Sequence, residues 1–400
     1  MRRSRAARLS LKMFLVITAV WLFALIGVVQ QYIGVRLIER FVVQKTPALP
    51  NPPLVSVLKP LCGVEPLTEV ALESFFLIEY PQFQLVFGVQ NPADPVLQII
   101  TTLQARYPTR DVAVVIDSSL HGSNRKVSNL INMLSAARYD TLVMSDADIH
   151  VPPYFLHAVT SALAEPGVGL VTTLYTALPG TPHLATTLGA NQINYIFLPG
   201  ALLARKLGRQ DCLGVTMALK RSVLAKIGGL QALANHLADD QVLGRLVQTY
   251  GYSLTLAPVI PATTVPEGDF KALWKHELRW ARTIRALLPV PYAGSVLQLS
   301  LMWAMAGLVV SGFHFWAWLL FAAVLLVRYR LTCRIDRALG LAKAGGAWLF
   351  VVRDIISLAV YIASFTGNKV DWRGQTMTAD AGLFDPAIAS NFAKLPLVEE

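Results

Sequence analysis

Charge is scarce in this chain, and cysteine scarcer. Only 15% of the 400 residues are charged, against 54% hydrophobic, too apolar a balance for a soluble enzyme of this length. The three cysteines, Cys62, Cys212 and Cys333, are odd in number and have no metal-ligand spacing, so they make neither a disulfide framework nor a zinc site. Gly-x-Ser-x-Gly, a Walker loop and a Cys/His nucleophile pattern are all missing, which removes the common hydrolase and P-loop chemistries. His121, His150, His157 and His183 fall into no metal-ligand pattern with the carboxylates, and no internal repeat or low-complexity segment is present.

What is there in excess is apolar sequence, and it sits at the two ends. Leu9–Val29 carries one charge, Lys12, and is long enough for a membrane helix. Arg2, Arg3, Arg5 and Arg8 would also suit the start of a cleaved leader, but no small-residue cleavage site follows Val29, so a retained anchor is expected. Ser295–Val327 is thirty-three residues without a charge, and Ala344–Thr366 is apolar apart from Arg353-Asp354. Ser311-Gly312 halves the first of these runs into pieces of about fifteen residues, which suits a re-entrant or tilted hairpin. The net charge of +10 gathers before Leu9, at Arg328–Lys343 and around Lys271–Arg285. Basic residues flanking apolar helices mark an anionic cytoplasmic leaflet better than a nucleic acid. The expected organisation is a basic N-terminus and anchor (1–46), a soluble domain (47–290), C-terminal membrane or re-entrant helices (291–370) and a tail (371–400). Orientation is undecided at the N-terminal end, where Arg36, Arg40 and Lys45 partly balance the first arginines.

Inside the soluble part, Pro-rich 47–53 leads into apolar strands at Leu54–Leu58, Gln84–Gln90, Val112–Asp117, Thr141–Met144 and Val168–Thr173. Helical stretches alternate with them at Pro66–Ile78, Asp94–Arg106, Arg125–Arg138 and Pro152–Ala164. That alternation predicts an α/β domain on a mostly parallel sheet, with ligands at the carboxyl ends of strands, near Asn91, Asp117 and Asp146.

The chemistry concentrates at Asp146-Ala147-Asp148, directly after the Thr141–Met144 run. Two carboxylates one residue apart on such a loop can hold Mg²⁺ or Mn²⁺ against a diphosphate, since these hard cations take few protein carboxylates and complete their shell with phosphate oxygens; a solvated turn is the plainer possibility. Asp239-Asp240 and His276-Glu277-Leu278-Arg279-Trp280 follow in sequence. The aspartate pair could equally be an acidic helix start, and Lys271–Arg285 could be a basic interfacial helix with Trp274 and Trp280 at headgroup depth.

Taken together, these residues resemble the ceramide glucosyltransferase family and its bacterial hopanoid-biosynthesis relatives. The likeness spans about Leu54–Thr366 and rests on Ser56-Val57-Leu58-Lys59-Pro60-Leu61-x-Gly63-Val64-Glu65-Pro66, Gly88-Val89-Gln90-x-x-x-Asp94-Pro95, Lys126-x-x-Asn129-Leu130, Asp146-x-Asp148, Gly228-Gly229-Leu230, Asp239-Asp240 and Arg279-Trp280. It implies a GT-A fold, a UDP-sugar donor (glucose or N-acetylglucosamine), a divalent cation (Mg or Mn), inversion at the anomeric carbon, and a membrane lipid acceptor, ceramide or bacteriohopanetetrol. Carried over residue by residue, Asp146 and Asp148 are the metal site, Asp146 with Asn91, Asp94, Lys126 and Gly214 the donor site, and Asp240 the general base. Arg279 clamps the diphosphate, Trp280 walls the acceptor, and His276 completes the catalytic box. Asp239 is expected to point away from the reaction.

Two positions depart from the family pattern: His276 stands where Gln or Arg is usual, and Asn91 where Asp is common. The implied setting is a membrane, the bacterial inner membrane, with the catalytic domain facing the cytoplasm and no nucleic-acid partner. The alternatives are a processive polysaccharide synthase and a catalytically lapsed membrane scaffold or transporter. Three short apolar segments argue against the former; the retention of Asp146, Asp148, Asp240 and Arg279 argues against the latter.

Overall fold

The computed structural model describes residues 2–342, 345–372 and 375–378, with side chains over 11–342 and 345–370. Most of the expected tail lies outside the described residues. The chain forms two compact units, one of residues 44–182 and 208–266, the other of residues up to 43, 183–207 and 267–378. Residues 183–207 and 267–378 group with the apolar helices, whereas the sequence reading drew one stretch of 47–290. Residues 183–207 read as a mixed helical stretch, and sequence spacing does not say which core a helix joins.

Among the described residues the first unit has ten strands: β1 (Val55–Leu61), β2 (Phe83–Val89), β3 (Val112–Ile116), β4 (Thr141–Ser145), β5 (Ile149–His150), β6 (Val168–Thr172), β7 (Thr176–Pro179), β8 (Thr216–Lys220), β9 (Ser253–Leu256) and β10 (Ala262–Val265). Seven of them form one sheet in the order β3-β2-β1-β4-β8-β6-β9. β1 to β4 pair parallel, as βαβ crossovers require. β8 alone runs against the rest, antiparallel to both β4 and β6, while β6 and β9 pair parallel, so the sheet is mostly parallel, as expected, with one reversed strand. Its central strands read as near-continuous apolar runs because both faces are covered. Val57, Phe87 and Val143 pack on one side with Phe75, Phe76 and Phe155; Leu58, Val86 and Leu142 pack on the other with Val127 and Leu130.

Glycine placement explains one of the motifs. A Cβ at Gly88 would lie 2.4 Å from Asn129 Oδ1 and 2.3 Å from Met133 Sδ, and Asn129 Nδ2 donates to the Gly88 carbonyl at 2.8 Å. The helix Arg125–Met133 thus seats directly against β2, which fixes where its first turn delivers Lys126.

The second unit holds a helix over Arg2–Val42. Leu11–Val42 and Phe315–Leu339 are each long and apolar enough to cross a membrane. The chain breaks at Ser311-Gly312 as expected, with Gly312 and Phe313 at positive φ. The following helix is longer than half a hairpin, however, continuing through the basic segment to Leu339. Before the break, Pro289–Gln298 and Ser300–Val310 form a pair bent by 64°. The last apolar stretch is the helix Trp348–Ser364, with Arg353 and Asp354 both buried.

Candidate active site

β4 ends at Ser145, and the two carboxylates follow on the turn into β5. Lys59, fully buried in β1, donates from Nζ to the Asp146 carbonyl at 2.6 Å and lies 3.7 Å from the centroid of the Phe75 ring. A buried lysine is tolerated only with such partners; burial drives its ammonium down to about 7 against the pull of Asp148 and Asp146. From the smaller three-stranded sheet, Thr263 in β10 donates its hydroxyl to Asp148 Oδ2. Burial, and then Asp146 beside it, push the Asp148 carboxyl up to about 6.

A second arm of the cluster comes from the helix Asp239–Thr249, whose first turn is Asp239-Asp240. The two carboxylates face different surroundings. Asp239 is buried, with Oδ1 3.4 Å from Asn124 Nδ2 and Oδ2 3.6 Å from Lys126 Nζ. Asp240 Oδ1 accepts from the Gln241 amide at 2.8 Å, and its Oδ2 faces Gly214, where a Cβ would stand 3.0 Å away. Burial, with the charge of Asp239 adjoining, pushes Asp240 up to about 7. Asp239 is therefore oriented away from the Gly214 face, into the Asn124–Lys126 helix start.

Lys126 ties the two arms together. Asn124 caps its helix, accepting from the Val127 amide at 3.1 Å and donating to the His236 carbonyl at 2.8 Å. Lys126 Nζ then lies 2.7 Å from Asp146 Oδ1 and 3.6 Å from Asp239 Oδ2. Burial alone would lower its pKa, but Asp146, Asp239 and Asp240 together raise it. Asp146, Asp148, Lys126, Gly214 and Asp240 thus converge in one electrostatic cluster.

Asn91 and Asp94 take other work. Asn91 is exposed and accepts from the Ala93 amide at 3.0 Å, closing its own turn. Asp94 accepts from the Gly63 amide at 2.8 Å and the Val96 amide at 3.0 Å, so its carboxylate holds the loop after β1 to the start of the next helix. His150, which follows the aspartate pair, meets Thr264 Oγ1 at 2.8 Å.

In the second unit, His276, Arg279 and Trp280 lie on the helix Phe270–Leu287, capped by Asp269 accepting from the Ala272 amide at 2.7 Å. Spacings of three and four put the three side chains on one face, while Leu273, Glu277 and Ala281 form the buried one. His276 Nδ1 pairs with Glu267 Oε1, its ring stands edge-on to Trp280 at 4.6 Å, and its buried Nε2 has no hydrogen-bond partner among the described residues. Burial opposes the charge on Glu267, yet the His276 bond and charge hold its carboxyl below the usual range. On the opposite face, Arg353 grips Glu277 with two bonds of 2.6 Å.

Sequence reading missed Glu267, Glu277 and the burial of Lys59. Glu267 carries no local signal. The other two do: a lone lysine inside a buried strand, and a glutamate on the apolar Leu273–Ala281 row, each demand a partner.

The sequence model of glycosyl transferase family 21 matches residues 19–383. The chain belongs to that family. Ceramide glucosyltransferase 1 of Caenorhabditis elegans is 26% identical over 254 residues, 62% of this chain and 52% of that protein. The ceramide glucosyltransferase of Komagataella phaffii is 30% identical over 148 residues, 35% of this chain and 28% of that one. The family 21 chain spans about half the length, or less, of these curated relatives. Among solved structures, a mannosyltransferase of Pyrobaculum calidifontis in complex with GDP-Man and Mn²⁺ covers 87% of this chain and 99% of its own, at 18% identity and a TM-score of 0.47. Glucosyl-3-phosphoglycerate synthase of Mycobacterium tuberculosis, with Mn²⁺, UDP and phosphoglyceric acid, covers 54% and 71%, at 14% identity and a TM-score of 0.35.

Whether a divalent cation fits is a question for the donor set. No group of three His, Cys, Asp or Glu is placed to hold a metal among the described residues. Asp146 and Asp148 are both partly exposed and supply two hard carboxylate groups, Asp148 with its Oδ2 also accepting from the Thr263 hydroxyl. Two such carboxylates would suit a Mg²⁺ or Mn²⁺ that completes its shell with diphosphate oxygens, so the residues fit the group.

Proposed function

We propose that this family 21 protein is a membrane-bound inverting glycosyltransferase that moves a hexose from a UDP-sugar to a hydroxyl of a membrane lipid of the ceramide class. The carrying observation is the shared cluster of Asp146, Asp148, Lys126 and Asp240, which sets a candidate cation and diphosphate site beside a carboxylate of raised pKa. Bound between Asp146 and Asp148, a divalent cation would supply charge neutralisation for the departing diphosphate. Asp240 takes the proton of the acceptor hydroxyl as that oxygen bonds to the anomeric carbon and the carbon–oxygen bond to UDP breaks. A base titrating near neutrality is suited to that task and typically contributes about 10²–10⁴-fold. Gly214 leaves the Asp240 carboxylate room to turn. For Arg279 and Trp280 the family resemblance implies roles at the diphosphate and the acceptor; within their own unit, His276 has its Nδ1 engaged by Glu267. The two apolar helices hold the enzyme where its acceptor resides, and a nucleotide-sugar donor calls for the cytoplasmic face.

The test is product analysis by mass spectrometry. Full-length protein in detergent receives mixed UDP-sugars, Mn²⁺, ceramide and bacteriohopanetetrol. A hexosyl-ceramide formed by the wild type, and lost in Asp240→Asn while UDP still binds, is the expected result. A glycosylated hopanoid alone would reject the ceramide assignment, and an active Asp240→Asn would remove Asp240 from the base role.

A further inference from the structure

The position of Lys126 raises a conflict within the proposed site. Its ammonium sits 2.7 Å from Asp146 Oδ1, on the carboxylate that a divalent cation would use. An ammonium and a divalent cation brought to that oxygen together repel each other. Lys126 has an alternative nearby, since Asp239 Oδ2 lies 3.6 Å from Nζ and accepts no hydrogen bond among the described residues. The helix start is rigidly held by Asn124, which is fully buried and bonded to both Val127 and His236, so the side chain moves while its backbone stays.

We propose that Lys126 is a resident counter-cation of the donor-free site, displaced from Asp146 when a divalent cation arrives with a nucleoside diphosphate. Without the diphosphate, metal entry must break the Lys126–Asp146 pair and leaves the ammonium facing only Asp239. With it, the same ammonium gains phosphate oxygens. Metal and donor therefore bind cooperatively, and the coupling is reciprocal. The device keeps the enzyme from holding a metal without its donor, and it keeps Asp146 paired in the meantime. The chemistry recognised is the diphosphate, so UDP alone is a sufficient probe.

This inference rests on the metal-site reading above, and the experiment separates the two. Mn²⁺ binding to the full-length protein in detergent is followed by electron paramagnetic resonance, with and without UDP, for the wild type, Lys126→Met, Lys126→Arg and Asp146→Asn. Lys126→Met should bind Mn²⁺ about tenfold more tightly than wild type without UDP, with the tightening caused by UDP reduced by a similar factor, within the usual range of site–site coupling. Lys126→Arg, which keeps the charge, should behave as wild type and controls for folding. If Asp146→Asn loses Mn²⁺ but Lys126→Met binds it no more tightly than wild type, the counter-cation role is overturned and the metal site stands. If Asp146→Asn binds Mn²⁺ unchanged, both fall.

Discussion

The buried pair Arg353–Glu277 offers the sharpest test of how the His276–Trp280 box is held. Arg353 is 1% exposed and Glu277 9%, and the two bonds of 2.6 Å are parallel and bidentate. Arg353 also donates to the Leu188 carbonyl and to Ser357, each at 3.2 Å. Replacing Glu277 by Leu leaves a buried guanidinium with one carbonyl and one hydroxyl; replacing Arg353 by Met leaves a buried carboxylate with neither fork. Each single change should cost about 3–5 kcal/mol. The double variant removes both charges and strands only the Leu188 and Ser357 groups, a loss of about 1–3 kcal/mol. The singles should therefore sum to far more than the double, and the midpoint of thermal unfolding in detergent should fall by roughly 6–20 °C in each single and partly recover in the pair. Thermal inactivation half-lives give the same ranking where unfolding is irreversible. Additive single effects would refute the reasoning, because the two side chains would then be acting independently of each other.

Two further outcomes follow from Asp240. Turnover should rise about tenfold per pH unit below pH 7 and level off above it, because the base acts only when deprotonated and its carboxyl is raised to about 7; a rise complete by pH 5 would show a carboxylate with an ordinary pKa at work. Gly214→Ala places a methyl 3.0 Å from Asp240 Oδ2 and 3.3 Å from its Cγ, so the carboxylate must shift by a few tenths of an ångström. Turnover should drop by roughly fivefold to tenfold while thermal stability holds or rises slightly, since Gly→Ala at an unstrained position typically gains about 0.4–1 kcal/mol; unchanged turnover would show that the approach to Gly214 is incidental.

Apolar runs carried most of the strand and helix assignments because they record burial on both faces of the sheet, as in Val55–Leu61 and Thr141–Ser145. Strand direction is another matter. Thr216–Lys220 has the same alternation whichever way it pairs, and its antiparallel place between β4 and β6 is decided by the length and path of residues 173–215. Asp146, Asp148 and Lys126 were legible because each stands just past a strand or at a helix start, where chemistry is exposed by construction. Asp94 stands at such a place too, yet one of its oxygens caps its own helix at Val96 and the other holds the loop at Gly63. A carboxylate at a strand end has two uses, and only its partners tell them apart.

Asp239-Asp240 shows how partners divide identical residues. By residue type alone the pair is symmetric, and only the family resemblance singles out Asp240. A helix turn separates neighbouring side chains by about 100°, so two adjacent aspartates at a helix start meet different surroundings. Asn124 and Lys126 engage the first, and that charge, fixed and adjacent, adds to burial in raising the second. Asp239 is thus the cause of the property that suits Asp240 to its proposed role. Asp239→Asn removes a negative neighbour and should lower the Asp240 pKa, moving the alkaline rise in turnover to lower pH.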